Sequence, residues 1–305
     1  MSRRLLAIAV MAALAVTAGA APAQALSPPI RTSFDLPAGF QPEGIAIGKS
    51  PLAYLGSRVD GDIYQANLLT GRGHVISQGP GTQSLGMKID ECGRLFVAGG
   101  SGGDARVIDT DSGQVLRSYT LQTVPSFIND VILTGDAAYY TDSRNPALFK
   151  LALGPDCTLP DAAEAIPLTG DIVYLAGTNA NGIARTPDGR NLIIVQSNTG
   201  LLFHTTYAGA TTQIDLGGEL VLNGDGLWLR GNDLYVVQNR LNLVAKIELN
   251  DPGTQGRVVS RTSSDDFDVP TTIAEYGGRF YLPNARFTTT PTPTTPYNVV
   301  SIPIP

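Results

Sequence analysis

Positive charge is scarce in this chain: 21 Lys and Arg stand against 27 Asp and Glu in 305 residues, a formal net charge of −6. Binding to nucleic acid calls for a basic face or stripe, and no such run occurs, so that class of partner is excluded. The same deficit disfavours an anionic membrane surface. Only two histidines (His74 and His204) and two cysteines (Cys92 and Cys157) are present, and they lie far apart, which argues against a four-ligand zinc site. No G-x-S-x-G elbow occurs, and neither histidine has the sequence context of a catalytic triad. Helical periodicity is also missing: 34 glycines and 21 prolines punctuate the chain, and no window shows an i, i+3, i+4, i+7 apolar face.

The one helix-like run is at the start. Arg3 and Arg4 precede an apolar stretch over 5–16 and a small-residue stretch ending in Ala23-Gln24-Ala25, the pattern of a secretory signal with an A-x-A cleavage site. The run is shorter than the ~20 apolar residues of a membrane span, and no later segment resembles a transmembrane helix or lipid anchor. The expectation is a signal peptide over 1–25 and a single domain over 26–305, secreted, without a membrane anchor, and monomeric. An oxidising compartment permits a Cys92–Cys157 disulfide; two buried thiols are the alternative.

What the sequence does have is a repeat. Six phrases align: EGIAIGKSPLAYLGSR from Glu43, LGMKIDECGRLFVAGG from Leu85, NDVILTGDAAYYTDSR from Asn129, NGIARTPDGRNLIIVQS from Asn181, DGLWLRGNDLYVVQNR from Asp225 and TTIAEYGGRFYLPNAR from Thr271. Each reads as a short strand, a Gly, Asp or Asn-rich turn, and a second strand of β-branched and aromatic residues. Third strands follow (DIYQANLLTG, ARVIDTDSG, ALFKLALG, LLFHTTYAG, LVAKIEL), then fourth strands such as HVISQG and VLRSYTL. Four antiparallel strands every ~45 residues is the β-propeller pattern. The fold class is therefore all-β, a six-bladed propeller; two packed sheets are the alternative. The last repeat lacks a fourth strand, and TSFDLP (32–37) is the spare that completes it and closes the ring.

In a propeller the first strand of each blade lines the central channel, so the residues opening the six phrases are equivalent. They are Glu43, Leu85, Asn129, Asn181, Asp225 and Thr271. Two carboxylates and two amides aimed at one axis suit a hard, oxygen-seeking cation such as Ca²⁺ rather than zinc. Strand-entry turns account for Asn-Gly and Asp-Gly singly, but less well for four in phase.

These motifs resemble the SMP-30/gluconolactonase/LRE-like family of six-bladed propellers, more distantly related to paraoxonases. The resemblance spans nearly the whole domain as blade rhythm, although its specific motifs are few and short. It implies that Glu43 (in PEGIAI), Asn181 (in NGIAR) and Asp225 (in DGLWL) hold a divalent metal, and that Asn129 (in FINDV) contacts substrate beside it. It further implies hydrolysis of a lactone or related ester, with the ion polarising the carbonyl and activating water, and with Asp225 as ligand and catalytic base. Asp130 is a second candidate base, or simply a turn former. Sugar-lactone hydrolases of the family tend to carry Arg two residues before that Asn. Here Phe127 takes its place, which points to a hydrophobic small-molecule lactone.

Arg58, Arg144, Arg240 and Arg286 recur after second strands, where they either cap blade ends or hold a carboxylate product. The Thr/Pro loop FTTTPTPTTPYN (287–298) suggests an extended, polyproline-like partial lid. Trp228 and His204 read as structural, and GGSGG (99–103) as a turn. The rival functions are a non-enzymatic ligand-binding or scaffold propeller and a strictosidine-synthase-like metal propeller.

Overall fold

The computed structural model describes residues 31–305, so the signal peptide expected over 1–25 lies outside the described residues. Six sheets built on antiparallel four-stranded meanders follow one another along the chain. The first blade runs Pro42–Ile47, Leu52–Ser57, Ile63–Asn67 and Gly73–Ser77, and the next four repeat the meander. Blade six is built from both ends of the chain. Ala274–Tyr276, Arg279–Pro283 and Tyr297–Pro303 accept Ser33–Leu36 as the outer strand, with Phe34 opposite Val299. The sheet edge left by the incomplete sixth repeat is thus filled by the segment before the first.

Blade four departs from four strands. The longer interval between the third and fourth phrases holds a short strand, Thr169–Gly170, which pairs in parallel with Ala210–Gln213 and makes that sheet five-stranded. No helix among the described residues is long and apolar enough to cross a membrane.

The core explains why the strands read as nearly continuous apolar runs. Side chains alternate across a strand, and here both faces are covered by neighbouring blades. Leu55 and Ala53 pack toward blade six with Ala274, Tyr281 and Val299, while Tyr54 between them packs toward blade two with Met87, Leu95 and Val97. Tyr139 and Tyr140 divide in the same way between the seams with blades four and two. Cys92, in a turn of blade two, and Cys157, in a loop of blade three, form a disulfide with Cα atoms 6.2 Å apart.

The first strands carry the feature that matters most for function. In blades one, three, four and five the pairing with the second strand slips by one residue, between Pro42 and Ile45, Ile128 and Val131, Ala180 and Ile183, and Gly224 and Leu227. Two residues on the inner strand thus oppose one on its partner, a β-bulge, which bends the strand and re-aims a side chain. The first bulged residue in each case is Glu43, Asn129, Asn181 or Asp225. The second is Gly44, Asp130, Gly182 or Gly226, pressed against the next blade. A Cβ on Gly44 would lie 1.9 Å from the Leu85 carbonyl oxygen, and one on Gly182 would lie 2.0 Å from that of Asp225. The glycine of N-G and D-G is required by this close approach of backbones.

Candidate active site

A cavity of about 520 Å³ opens at one end of the channel. Glu43, Asn129, Asn181 and Asp225 all line it, together with Leu85 and Phe127. The four polar residues predicted to form a ring are therefore brought together, each buried at its bulge. Thr271, the sixth opening residue, is turned away: its hydroxyl donates to the Glu43 carbonyl oxygen at 2.7 Å, and that of Thr272 donates to the same atom at 2.8 Å.

A second tier of residues, not singled out by the sequence reading, orients the first. The Asn129 amide nitrogen donates to the Ser143 hydroxyl (2.8 Å), which donates to the Ala180 carbonyl of the next blade (2.7 Å). Blade four repeats the arrangement: the Asn181 amide donates to Ser197 (2.9 Å), whose hydroxyl donates to the Gly224 carbonyl. A hydroxyl has one proton to give. With that proton committed to a carbonyl, each serine can only accept from the asparagine, so the contacting atom is the NH₂ and the carbonyl oxygen remains available to the cavity. In blade five the same phase holds Asn239, which donates to Asp225 Oδ2 at 2.6 Å. The donor or acceptor fits its partner in each blade: serine faces asparagine, and asparagine faces aspartate. The signal was present in the sequence as the residue 14 or 16 positions after Asn129, Asn181 and Asp225.

No Lys or Arg is a member of the ring itself, and burial dominates its electrostatics. Glu43 is held well above the ordinary carboxylate range, first by burial and then by Asp225 and Asp130, with Arg58 and Lys88 opposing. Burial likewise pushes Asp225 up to about 7, against the hydrogen bond from Asn239. Glu43 Oε2 is buried with no hydrogen-bond partner. Among the described residues no three His, Cys, Asp or Glu side chains converge as a metal cluster, so a cation here would depend on two carboxylates supplemented by the oriented amide oxygens. An unpartnered carboxylate oxygen, two buried carboxyl groups whose charged forms are disfavoured without a counter-ion, and amides with their oxygens free form a donor set suited to a hard divalent ion.

Asp130 does not line the cavity. It occupies the bulge position held by glycine in blades one, four and five, where its carboxylate accepts from Val131 N (2.8 Å) and Ile183 N (3.3 Å), with Lys88 Nζ 4.0 Å away. It ties two blades together behind the ring.

The four recurring arginines do not share one phase. Arg58 stands directly after Ser57, which pairs with Pro42, and so occupies the position of Ser143, Ser197 and Asn239. Arg144 and Arg240 lie one residue further out. Arg58, Arg240 and Arg286 line the cavity, whereas Arg144 does not and sits 6.0 Å from the Phe127 ring. Arg286 is a cap, bonded to Asp268 Oδ2 and the Pro296 carbonyl at 2.8 Å each. The Thr/Pro loop overhangs the cavity through Phe287, Thr289 and Pro291. It is folded by turns rather than extended: Thr289 N donates to the Arg286 carbonyl, Thr295 N to the Thr292 carbonyl, and Gly39 N to the Thr295 carbonyl. Threonine hydroxyls bonding within the segment outweigh the polyproline preference of its prolines.

The architecture is that of a six-bladed β-propeller with a polar ring at the mouth of its channel. No protein-family model matches the chain, and no curated protein matches it. Among solved structures it is similar to the major allergen of Malassezia sympodialis, at 14% identity and a TM-score of 0.68 over 90% of this chain and 96% of that one. It is also similar to virginiamycin B lyase from Staphylococcus aureus, at 14% identity and a TM-score of 0.57 over 88% and 99%. A third similarity is to a candidate 6-phosphogluconolactonase from Bacteroides uniformis, at 14% identity and a TM-score of 0.57 over 78% and 76%. At these identities the likeness establishes the shared fold.

Proposed function

We propose that this protein is an exported hydrolase of a lactone or related ester, dependent on a divalent cation, Ca²⁺ in the first instance, held by Glu43, Asn181 and Asp225 with Asn129 beside it. The observation that carries the reading is the buried, unpartnered Oε2 of Glu43, a residue that lines one cavity with Asn129, Asn181 and Asp225. That two solved structures of similar fold bear the names of a lyase and a candidate lactonase is consistent with it. When bound, a cation supplies Lewis-acid stabilisation of the oxygen on which charge accumulates as the carbonyl is attacked.

The chain's own residues supply the rest. Asp225, held by the hydrogen bond that its Oδ2 accepts from Asn239, is the base toward the attacking water. Asn129, its oxygen freed by Ser143, is placed to orient the substrate. Phe127 and Leu85 form an apolar wall on the side of blades two and three, which favours a substrate with a hydrophobic portion. Calorimetric titration of Ca²⁺ into chelator-stripped protein, together with a hydrolysis panel of lactones and aryl esters, tests the assignment. Absence of both binding and turnover rejects it in favour of a binding propeller.

A further inference from the structure

Three side chains at the mouth remain unused by the ring. Phe287, the first residue of the overhanging loop, has the Arg58 guanidinium carbon 4.6 Å from its ring centroid and that of Arg240 5.8 Å away. All three line the cavity. Their neighbour Arg286 is neutralised by Asp268. Arg58 and Arg240, by contrast, have no ion pair and no side-chain hydrogen bond among the described residues, in a chain whose acidic residues outnumber its basic ones. Cation–π contact with one aromatic ring holds them near each other while leaving their N–H groups unspent.

Charge accounting gives these arginines a purpose. Glu43 and Asp225 contribute two negative charges and a divalent ion cancels them, so Arg58 and Arg240 leave the loaded cavity with two uncompensated positive charges. We infer that Arg58 and Arg240, braced on Phe287, form a clamp for an oxyanion on the substrate, so that the site takes a lactone or ester bearing a carboxylate or a phosphate. This specificity rests on the hydrolase reading above and deepens it. Forked guanidinium donors suit either oxyanion. The apolar wall of Phe127 and Leu85 and the basic clamp are contributed by different blades, which makes the preferred substrate amphipathic, anionic at one end and apolar at the other.

The test uses the whole exported protein and its Arg58→Gln, Arg240→Gln and double variants, with Arg58→Lys as a charge-preserving control. Malonate and inorganic phosphate, titrated separately into the protein with and without Ca²⁺, report the clamp without turnover. Binding of either probe should weaken at least about tenfold in the double variant, be partly retained in Arg58→Lys, and identify which oxyanion is preferred. Ca²⁺ affinity should be kept or improved by Arg58→Gln, because a positive neighbour of Glu43 has been removed. In parallel, the kcat/KM ratio for a carboxylated γ-butyrolactone over its neutral methylamide should fall at least about tenfold in the double variant.

If neither probe binds and the neutral lactone is turned over as well as the anionic one, the clamp is wrong and the hydrolase reading stands. If the probes bind and are lost with the arginines, but Ca²⁺ does not bind and no lactone is hydrolysed, the clamp stands without the hydrolase. Joint loss of probe and Ca²⁺ binding in Arg58→Gln would show a merely structural role and overturn the proposal.

Discussion

The Asn181 amide nitrogen lies 2.9 Å from the Ser197 hydroxyl, and the Asn129 amide nitrogen lies 2.8 Å from Ser143 in the neighbouring blade. Each serine hydroxyl in turn donates a hydrogen bond to a carbonyl of the following blade. The orientation of the ring amides is therefore tied to the packing of one blade on the next. A site built this way is preorganised by the scaffold rather than assembled by its ligand.

Removing either serine should loosen that orientation. Ser143→Ala and Ser197→Ala are each expected to cost ~1 kcal/mol of fold stability, the usual net value of a hydrogen bond. Ser197→Ala should additionally weaken Ca²⁺ binding by about tenfold, as its Asn181 partner becomes free to turn its NH₂ inward. Calorimetric Ca²⁺ titration beside thermal melts reads both effects. Unchanged affinity in Ser197→Ala would show that the bond does not orient the site.

The two carboxylates should separate by role. Glu43→Gln keeps the shape and an oxygen donor, so it should weaken the cation site with partial recovery of hydrolysis at high Ca²⁺. Asp225→Asn should lower kcat by about 100-fold or more, the usual scale for a lost general base, and excess Ca²⁺ should not restore it. Recovery of Asp225→Asn by Ca²⁺ alone would reduce Asp225 to a ligand.

Stability should depend on pH in a direction set by the ring. Burial raises Glu43 well above its ordinary range and Asp225 to about 7. A carboxyl whose folded-state value is raised binds its proton more tightly when folded. The metal-free protein is thus favoured at acid pH and loses that contribution as pH rises from the unfolded value, near 4, through the folded one. Its Tm should fall between pH 5 and pH 8. Saturating Ca²⁺ should restore it by roughly 5 °C or more at pH 8 and by much less at pH 5, where protons compete for the same oxygens. Scanning calorimetry with and without chelator measures this, and an equal Ca²⁺ effect at both pH values would contradict it.

The disulfide joins blades two and three across a sequence separation of 65 residues. Cross-linking a loop of that length removes unfolded-state entropy equivalent to about 4 kcal/mol. The double variant Cys92→Ser/Cys157→Ser should therefore melt about 5–10 °C lower while keeping its Ca²⁺ affinity, because neither cysteine lines the cavity. Loss of Ca²⁺ binding in the folded variant would show that the bridge holds the ring as well as the blades.

The sequence by itself determined the blade count, the borrowed outer strand and the ring members. Those properties are periodic: a strand–turn–strand phrase recurs, and Glu43, Asn129, Asn181 and Asp225 open it in phase. The disulfide was permitted by two cysteines in neighbouring blades, but only the 6.2 Å Cα separation decided it. The extra strand at Thr169–Gly170 escaped because two residues carry no periodicity, and their pairing with Ala210–Gln213 is long-range.

The tertiary structure also separated residues that the sequence could not distinguish. Asp130 is adjacent to Asn129 in the chain, yet the bulge sends one side chain to the cavity and the other into the seam between blades. Four arginines look equivalent in GSR, DSR, QNR and NAR, but Arg58 stands one residue closer to the ring than Arg144 and Arg240, and of those two at one phase only Arg240 lines the cavity. The Thr/Pro loop reads as extended until hydroxyl-bonded turns fold it over the mouth. Local pattern specifies which strands form and which face they bury. Where a side chain points at a bulge, and which neighbour spends its hydrogen bonds, depends on the blade packed alongside it.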